Sequence, residues 1–277
     1  MENLKVGLQL YSVREDMAKD MDATLKQIKE MGYDYVEFAG YFGKTACEVR
    51  DLLDKHDLKC ISVHQTYDIF LTNEKDSIDF LKTIGAKYCA IPWMGKEKHA
   101  GTEQFEQTKK EFIQVGQALK NAGIQLLYHN HDFEFETYDG KFLLDWLYES
   151  IPADLLKTQL DTCWVKYAGQ DPVEYIKKYS GRAPIVHLKD FICKNFNMGA
   201  VYALIDETGK EKKKPTREEA GFEFRPLGQG IQDIPSIIQA AIEAGTEYVI
   251  VEQDQSPTCP ALQAAKESRD YLKSIGL

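Results

Sequence analysis

The sequence predicts an α/β chain folded as a (β/α)8 TIM barrel with a long insertion after strand seven. Two observations predict it. The first is a cadence shared by Lys29–Glu37, Lys82–Ile91, Lys120–Leu127 and Ile242–Ile250. In each, a helix end is stopped by a glycine that tolerates the left-handed conformation, and a buried strand follows within a few residues. The second is a set of short runs rich in apolar and β-branched residues near 6–12, 33–39, 59–66, 88–93, 124–131, 157–163, 184–190 and 247–253. Separated by helical stretches, these strands close most simply into a barrel. An open doubly wound sheet is the weaker choice, because no GxGxxG follows the first strand.

Taken in order, strand one leads to a helix whose apolar face holds Met21, Leu25 and Ile28 and which ends at Gly32 before strand two. Strand three follows, and a helix stopped at Gly85 feeds strand four. Phe105, Phe112, Val115 and Leu119 mark the helix that ends at Gly123 ahead of strand five. After strand six, Asp171-Pro172-Val173-Glu174 reads as an N-cap with proline in the first turn. Between strand seven and the next helix the cadence breaks. Phe191 to Asp233 is a connection of about forty residues where a few are usual. Ile205–Lys210 looks like a hairpin tip, and Gly221–Gly230 looks like ordered loop chemistry; the loop is expected to cover the barrel mouth and bring Arg225 or Gln229 toward a ligand. The whole of 1–277 reads as one domain, with 191–233 as an active-site insertion.

The net charge of −10 and pI near 5.2 oppose a general polyanion binder, so no nucleic-acid partner is expected. The one basic run, Lys210–Lys214, reads as a solvated loop. Nothing at Met1–Lys5 resembles a targeting signal and no apolar run nears about 18 residues, so a cytoplasmic protein without a membrane partner is expected. The six cysteines are widely spaced without a CxxC pair, as reduced and mostly buried thiols would be. A homo-oligomer is compatible with the sequence.

Four apolar runs end in residues able to bind a hard or borderline divalent cation: Tyr128-His129-Asn130-His131, Gln159-Leu160-Asp161, Val186-His187-Leu188-Lys189-Asp190 and Val249-Ile250-Val251-Glu252. Parallel barrel strands deliver their carboxyl ends to one mouth, so His129, Asp161, His187 and Glu252 are the candidate ligands of one divalent ion. Alternation puts His129 and His131 on one face, and either could be the strand-five ligand, with the other serving substrate. Asp161 could instead cap a helix. Lys189 shares the inward face of His187 one layer nearer solvent, where it could polarise a substrate oxygen or pair with Asp190 or Asp161. Glu252, His131, Lys189 and Glu134 are the candidate acids and bases. Glu37 and His64, with Gln9 and Trp93, end strands two, three, one and four, and together with Arg225 read as a ring lining a polyhydroxylated small molecule.

These residues resemble the xylose-isomerase-like superfamily of TIM barrels, the sugar phosphate isomerase/epimerase group that also contains inosose dehydratases, ketose 3-epimerases and endonuclease IV. The carriers are Tyr128–Phe135, Leu160–Val165, His187–Asp190, Leu227–Gly230 and Val251–Asp254, and the resemblance spans essentially the whole chain. It implies a Glu, Asp, His and Glu on strands five to eight holding Mn²⁺, Mg²⁺, Co²⁺ or Zn²⁺. The last three carry over onto Asp161, His187 and Glu252, whereas His129 stands where epimerases place glutamate. Paired histidines on this strand are similar to the inosose dehydratase and keto-sugar branch. The resemblance therefore implies a metal-dependent carbohydrate isomerase or epimerase working through an enediolate, or a lyase acting on a keto-sugar, 3-keto-glycoside or keto-inositol.

Overall fold

A computed structural model describes residues 4–194 and 216–277. The expected hairpin tip at 205–210 and the basic run Lys210–Lys214 lie outside the described residues. Eight parallel strands close into a barrel: β1 (Lys5–Gln9), β2 (Tyr35–Phe38), β3 (Lys59–His64), β4 (Tyr88–Ile91), β5 (Gln125–His129), β6 (Leu156–Asp161), β7 (Ile185–Leu188) and β8 (Tyr248–Val251). Closure is made by β1 pairing with both β2 and β8, with Leu8 opposite Val36 on one side and Val251 on the other.

Alternation along the strands builds two apolar compartments. Outward residues such as Leu126, Tyr128, Leu160, Val186 and Val249 join the layer beneath the surrounding helices. Inward residues Ile61, Tyr88, Ala90, Leu127, Ile185, Tyr248 and Ile250 plug the barrel's lower interior. Above that plug the inward positions become polar, so the dry end of the barrel supports a charged layer at the carboxyl ends of the strands.

The cadence read from the sequence is present in space. Gly32, Gly85, Gly123 and Gly245 all hold positive φ at helix ends, and Asp171 accepts from Val173 N at the start of Pro172–Lys178. Several strands end earlier than their apolar runs suggest. After β1 the chain turns into a 3-10 turn, Leu10–Val13, because the Gln9 side chain accepts from Tyr11 N. β6 stops at Asp161, whose carboxylate caps Thr162–Tyr167.

The described part of the long connection is not structureless. Asp190–Cys193 pairs antiparallel with Phe222–Arg225, and Phe191, Phe222 and Phe224 pack against Trp164 and Cys163. Asp190 fixes the return of the chain. Its Oδ1 accepts from Phe191 N (2.9 Å) and Gln232 N (3.1 Å), and its Oδ2 accepts from Gly228 N and Gly230 N (both 3.0 Å). Gly230 permits this, since a Cβ there would lie 2.1 Å from Asp190 Oδ1 and 2.5 Å from Phe191 O. We expect Gly230→Ala to lower unfolding free energy by about 1–3 kcal/mol, because the new methyl must push the carboxylate off its donors. Urea denaturation at wild-type stability would show that the Asp190 hub contributes nothing.

Candidate metal centre

Four strand ends meet at the barrel mouth. His129 ends β5, Asp161 ends β6, His187 lies in β7 and Glu252 follows β8, and each offers a donor atom within 4.8 Å of the others. All four are buried. Asp161 caps a helix with one oxygen and turns the other toward the cage. Its Oδ1 accepts from Cys163 N (2.9 Å) and Trp164 N (3.2 Å), as an N-cap should. Its Oδ2 faces the cage without an aligned hydrogen bond, 3.1 Å from Lys189 Nζ and 3.6 Å from His129 Nε2.

Charge is unbalanced here. Asp161, Glu252 and Asp254 surround a single ammonium, Lys189, which contacts Asp161 Oδ2 (3.1 Å), Glu252 Oε2 (2.9 Å) and Asp254 Oδ1 (2.9 Å), and a fourth carboxylate, Glu37, stands 2.8 Å from His187 Nε2. Burial of Asp161 pushes its carboxyl up to about 6 despite Lys189. Burial and Glu252 raise Asp254. Burial would raise Glu252 too, but Lys189 and His187 hold it below the usual carboxylate range. A further cation fits this excess of anions, and the Asp161 Oδ2 that lacks an aligned hydrogen bond suits a divalent ion. The donor set of two imidazoles and two carboxylates matches borderline metals.

The histidines differ in protonation. His187 sits between two carboxylates, with Nδ1 2.7 Å from Glu252 Oε2 and Nε2 2.8 Å from Glu37 Oε1. Burial alone would depress it, but Glu37 and Glu252 push it up to about 10. His129 goes the other way, lowered well below its ordinary value by burial and by His187. His131, whose ring lies 5.3 Å from that of His129, is lowered to about 3 by burial and Lys189.

The remaining expected residues are placed as follows. Glu134 is buried and turned back, accepting from Tyr128 OH (2.7 Å) and His131 N (2.8 Å); burial raises it to about 8. Glu37 and His64 join the cage floor, with His64 Nε2 3.1 Å from Glu37 Oε1. Trp93 stands after β4 with 54% exposure. Arg225 pairs with Glu223 on the antiparallel ribbon, and Gln229 donates to Glu267, so neither is brought to the cage. Arg217 is the arginine that arrives. It stacks on the Trp164 ring at 4.1 Å and pairs with Asp132 at 2.8 Å, and Trp164 in turn lies 5.4 Å from Lys189 Nζ and 5.8 Å from the His131 ring. Sequence reasoning also missed Gln159 and Asp254. The alternation that flagged Asp161 carried the signal for Gln159, two residues earlier on the same face.

Comparison with known proteins agrees with this architecture. The family model described as xylose isomerase-like TIM barrel matches residues 25–275, and the chain belongs to that family. An inosose dehydratase of Clostridium botulinum is 24% identical over 303 residues, covering 98% of this chain and 97% of that protein. Among solved structures, a sugar phosphate isomerase/epimerase from Parabacteroides distasonis superposes with a TM-score of 0.78 at 21% identity, covering 99% of this chain and 95% of the other. The IolI protein, solved with a bound zinc atom, gives 0.69 at 16% identity, with 98% of each chain covered. Among the described residues no helix is long and apolar enough to cross a membrane.

The high value of His187 has a consequence for loading. The metal-free ring carries a proton at neutral pH that an ion must displace. The metal-free state binds that proton and the loaded state does not, so affinity must rise with pH. Between about pH 7 and 8 we expect apparent Mn²⁺ or Zn²⁺ affinity to rise about tenfold by competition titration. A flat profile would show that no ligand proton is displaced.

Proposed function

We propose that this chain is a divalent-metal-dependent carbohydrate isomerase or epimerase, acting on a sugar or keto-sugar by removing the proton beside a carbonyl. The convergence of His129, Asp161, His187 and Glu252 within 4.8 Å is the observation that carries the reading. Held there, Mn²⁺, Mg²⁺, Co²⁺ or Zn²⁺ would polarise a carbonyl and its neighbouring hydroxyl, acidifying the hydrogen between them and stabilising the negative charge that develops.

The chain's own groups supply the proton traffic. His131 is unprotonated at neutral pH, and its Nδ1 has no hydrogen-bond partner, so it is free to accept. Its low basicity means it takes a proton only from a strongly activated carbon acid. Lys189, raised well above its ordinary value because Asp161, Asp254 and Glu252 outweigh the cost of burial, stays cationic and can donate to a substrate oxygen. The carboxylate of Glu252 reaches both Lys189 and His187 and is a further candidate base. Glu134 supports His131 through the backbone N–H. Half-buried His64 and exposed Trp93 are the proposed substrate-side groups, and Arg217 joins them through Trp164.

A lyase is the second reading. Similarity to inosose dehydratases along nearly the full chain favours it, and the first step, removal of a proton beside a ketone, is common to both. Return of a proton to the neighbouring carbon gives isomerisation and to the opposite face epimerisation, whereas expulsion of a β-oxygen gives dehydration or glycoside cleavage. Incubation of the metal-loaded protein with keto-sugars and a keto-inositol in D₂O separates them. Deuterium incorporation or an isomeric product is expected for the first reading, loss of water or aglycone for the second, and neither event would refute both.

The roles of the paired histidines are separable by mutation. His131→Ala should retain the ion and lose about 10²-fold or more in rate, while His129→Ala should lose the ion. The reverse pattern in elemental analysis and kinetics would exchange the two assignments.

A further inference from the structure

Beneath the four candidate ligands lies a second layer of polar side chains that the proton-transfer scheme does not use: Gln9, Glu37, His64 and Gln159, all buried except half-buried His64. Its hydrogen bonds have a direction that can be traced from one unambiguous donor. The backbone N–H of Tyr11 donates to Gln9 Oε1 at 3.0 Å, so the other end of that amide, Nε2, is the donor that meets Glu37 Oε1 at 2.7 Å. Glu37 thereby acts as an acceptor. Its second oxygen, Oε2, takes Gln159 Nε2 at 2.6 Å. An amide has only one acceptor end, and with its NH₂ committed to Glu37, Gln159 must turn Oε1 toward the histidines. That oxygen lies 2.6 Å from His64 Nε2 and 3.1 Å from His129 Nδ1. A carbonyl oxygen cannot donate, so both ring nitrogens must carry hydrogen.

We propose that Gln159 is a positioning residue that fixes His129 as the Nδ1–H tautomer and so presents its bare Nε2 to the ion. The inference rests on the metal-dependent reading above, and it goes further by assigning the nitrogen and the cause. Nε2 is the atom on the Asp161 side, 3.6 Å from Asp161 Oδ2. A ligating imidazole that donates its distal N–H to a fixed acceptor is both oriented and made more basic. Here that acceptor is a neutral amide, locked in turn by a carboxylate at the end of β2 and, through it, by a second amide and a backbone N–H at the end of β1. His187 meets the same floor, with Nε2 2.8 Å from Glu37 Oε1, so one carboxylate stands behind both imidazole ligands.

The geometry also contains a rival. His64, His129 and His187 form a second group whose donor atoms lie within 4.8 Å of one another. An ion held there through His129 Nδ1 would need the lone pair of the nitrogen that the amide requires to be protonated. Binding through Nδ1 and the hydrogen bond to Gln159 are mutually exclusive, so the tautomer decides whether that nitrogen is open to an ion.

Nitrogen-15 NMR of histidine-labelled wild-type protein reads this tautomer directly, without metal and after titration with zinc. We expect His129 to be a single Nδ1–H tautomer in the metal-free protein, and one zinc per chain to shift Nε2 while Nδ1 keeps its hydrogen. Gln159→Met should let both tautomers of His129 appear and weaken zinc by about 10- to 100-fold with stoichiometry unchanged, and should lower the melting temperature because buried Glu37 loses a donor. A wild-type Nε2–H tautomer, or zinc bound through Nδ1 together with His64, would overturn the proposal. So would a Gln159→Met protein with wild-type tautomer and affinity. If that variant does not fold, the wild-type spectra decide alone. If wild type binds no zinc, the metal reading fails while the metal-free spectrum still tests the role of Gln159.

Discussion

An excess of negative charge in a water-poor cavity is the constraint from which the rest of the site follows. Four carboxylates, Glu37, Asp161, Glu252 and Asp254, converge where parallel strands must end together, and Lys189 is the one ammonium among them. Ionised carboxylates in such surroundings cost several kcal/mol each unless donors or cations meet them. The fold supplies what it can. The first turn of the helix after β6 gives Asp161 two backbone N–H groups, two amides and a histidine meet Glu37, and His187 takes up a proton between Glu37 and Glu252. What remains unsatisfied is one face of Asp161 and the charge deficit itself, and both point into the same small space.

That constraint also explains the layering of the histidines. His129 and His187 lie inside the carboxylate shell and are held from below by Gln159 and Glu37, so their orientation is set before any ion arrives. His131 lies one step farther out, stacked on Phe133 at 5.6 Å and next to Trp164, with no hydrogen bond from Nδ1. An imidazole without a fixed partner can exchange a proton with a substrate more readily than one locked into a network. The difference between the two rings is therefore one of surroundings, since both leave the same face of the same chain segment.

Much of this was legible in the sequence because it depends on local rules. Glycines that stop helices, buried runs between them, and metal-binding side chains at strand ends are all properties of short segments, and the barrel makes their convergence automatic. Gln159 was harder to read. It is an amide whose importance lies in what Glu37 and His129, from other strands, do to its two ends. Asp254 and Arg217 come from loops, where position depends on nonlocal packing: Arg217 is held by Asp132 and by the Trp164 ring, and neither contact has a sequence period. Arg225 was singled out for its charge within a promising loop, but the antiparallel ribbon pairs it with Glu223 instead. Glu134 was read as able to turn back toward the mouth. It turns back farther, into Tyr128 and the backbone of His131.

On the proposed reading, the long connection after β7 bears on reaction outcome through the same contacts. Its described residues are anchored twice, by Asp190 gathering Phe191, Gly228, Gly230 and Gln232, and by Arg217 reaching Asp132 beside β5. Trp164 lies between that loop and the cage, touching the environment of Lys189 on one side and of His131 on the other. Removing a proton beside a ketone needs only the cage and a base, but what happens next depends on which substrate oxygen finds a donor. The loop acts on that choice, on the proposed reading, through Arg217, stacked on the Trp164 ring beside Lys189 and His131. On the same reading, the choice among isomerisation, epimerisation and elimination therefore lies with the loop and with His131 and Lys189 and not with the ion.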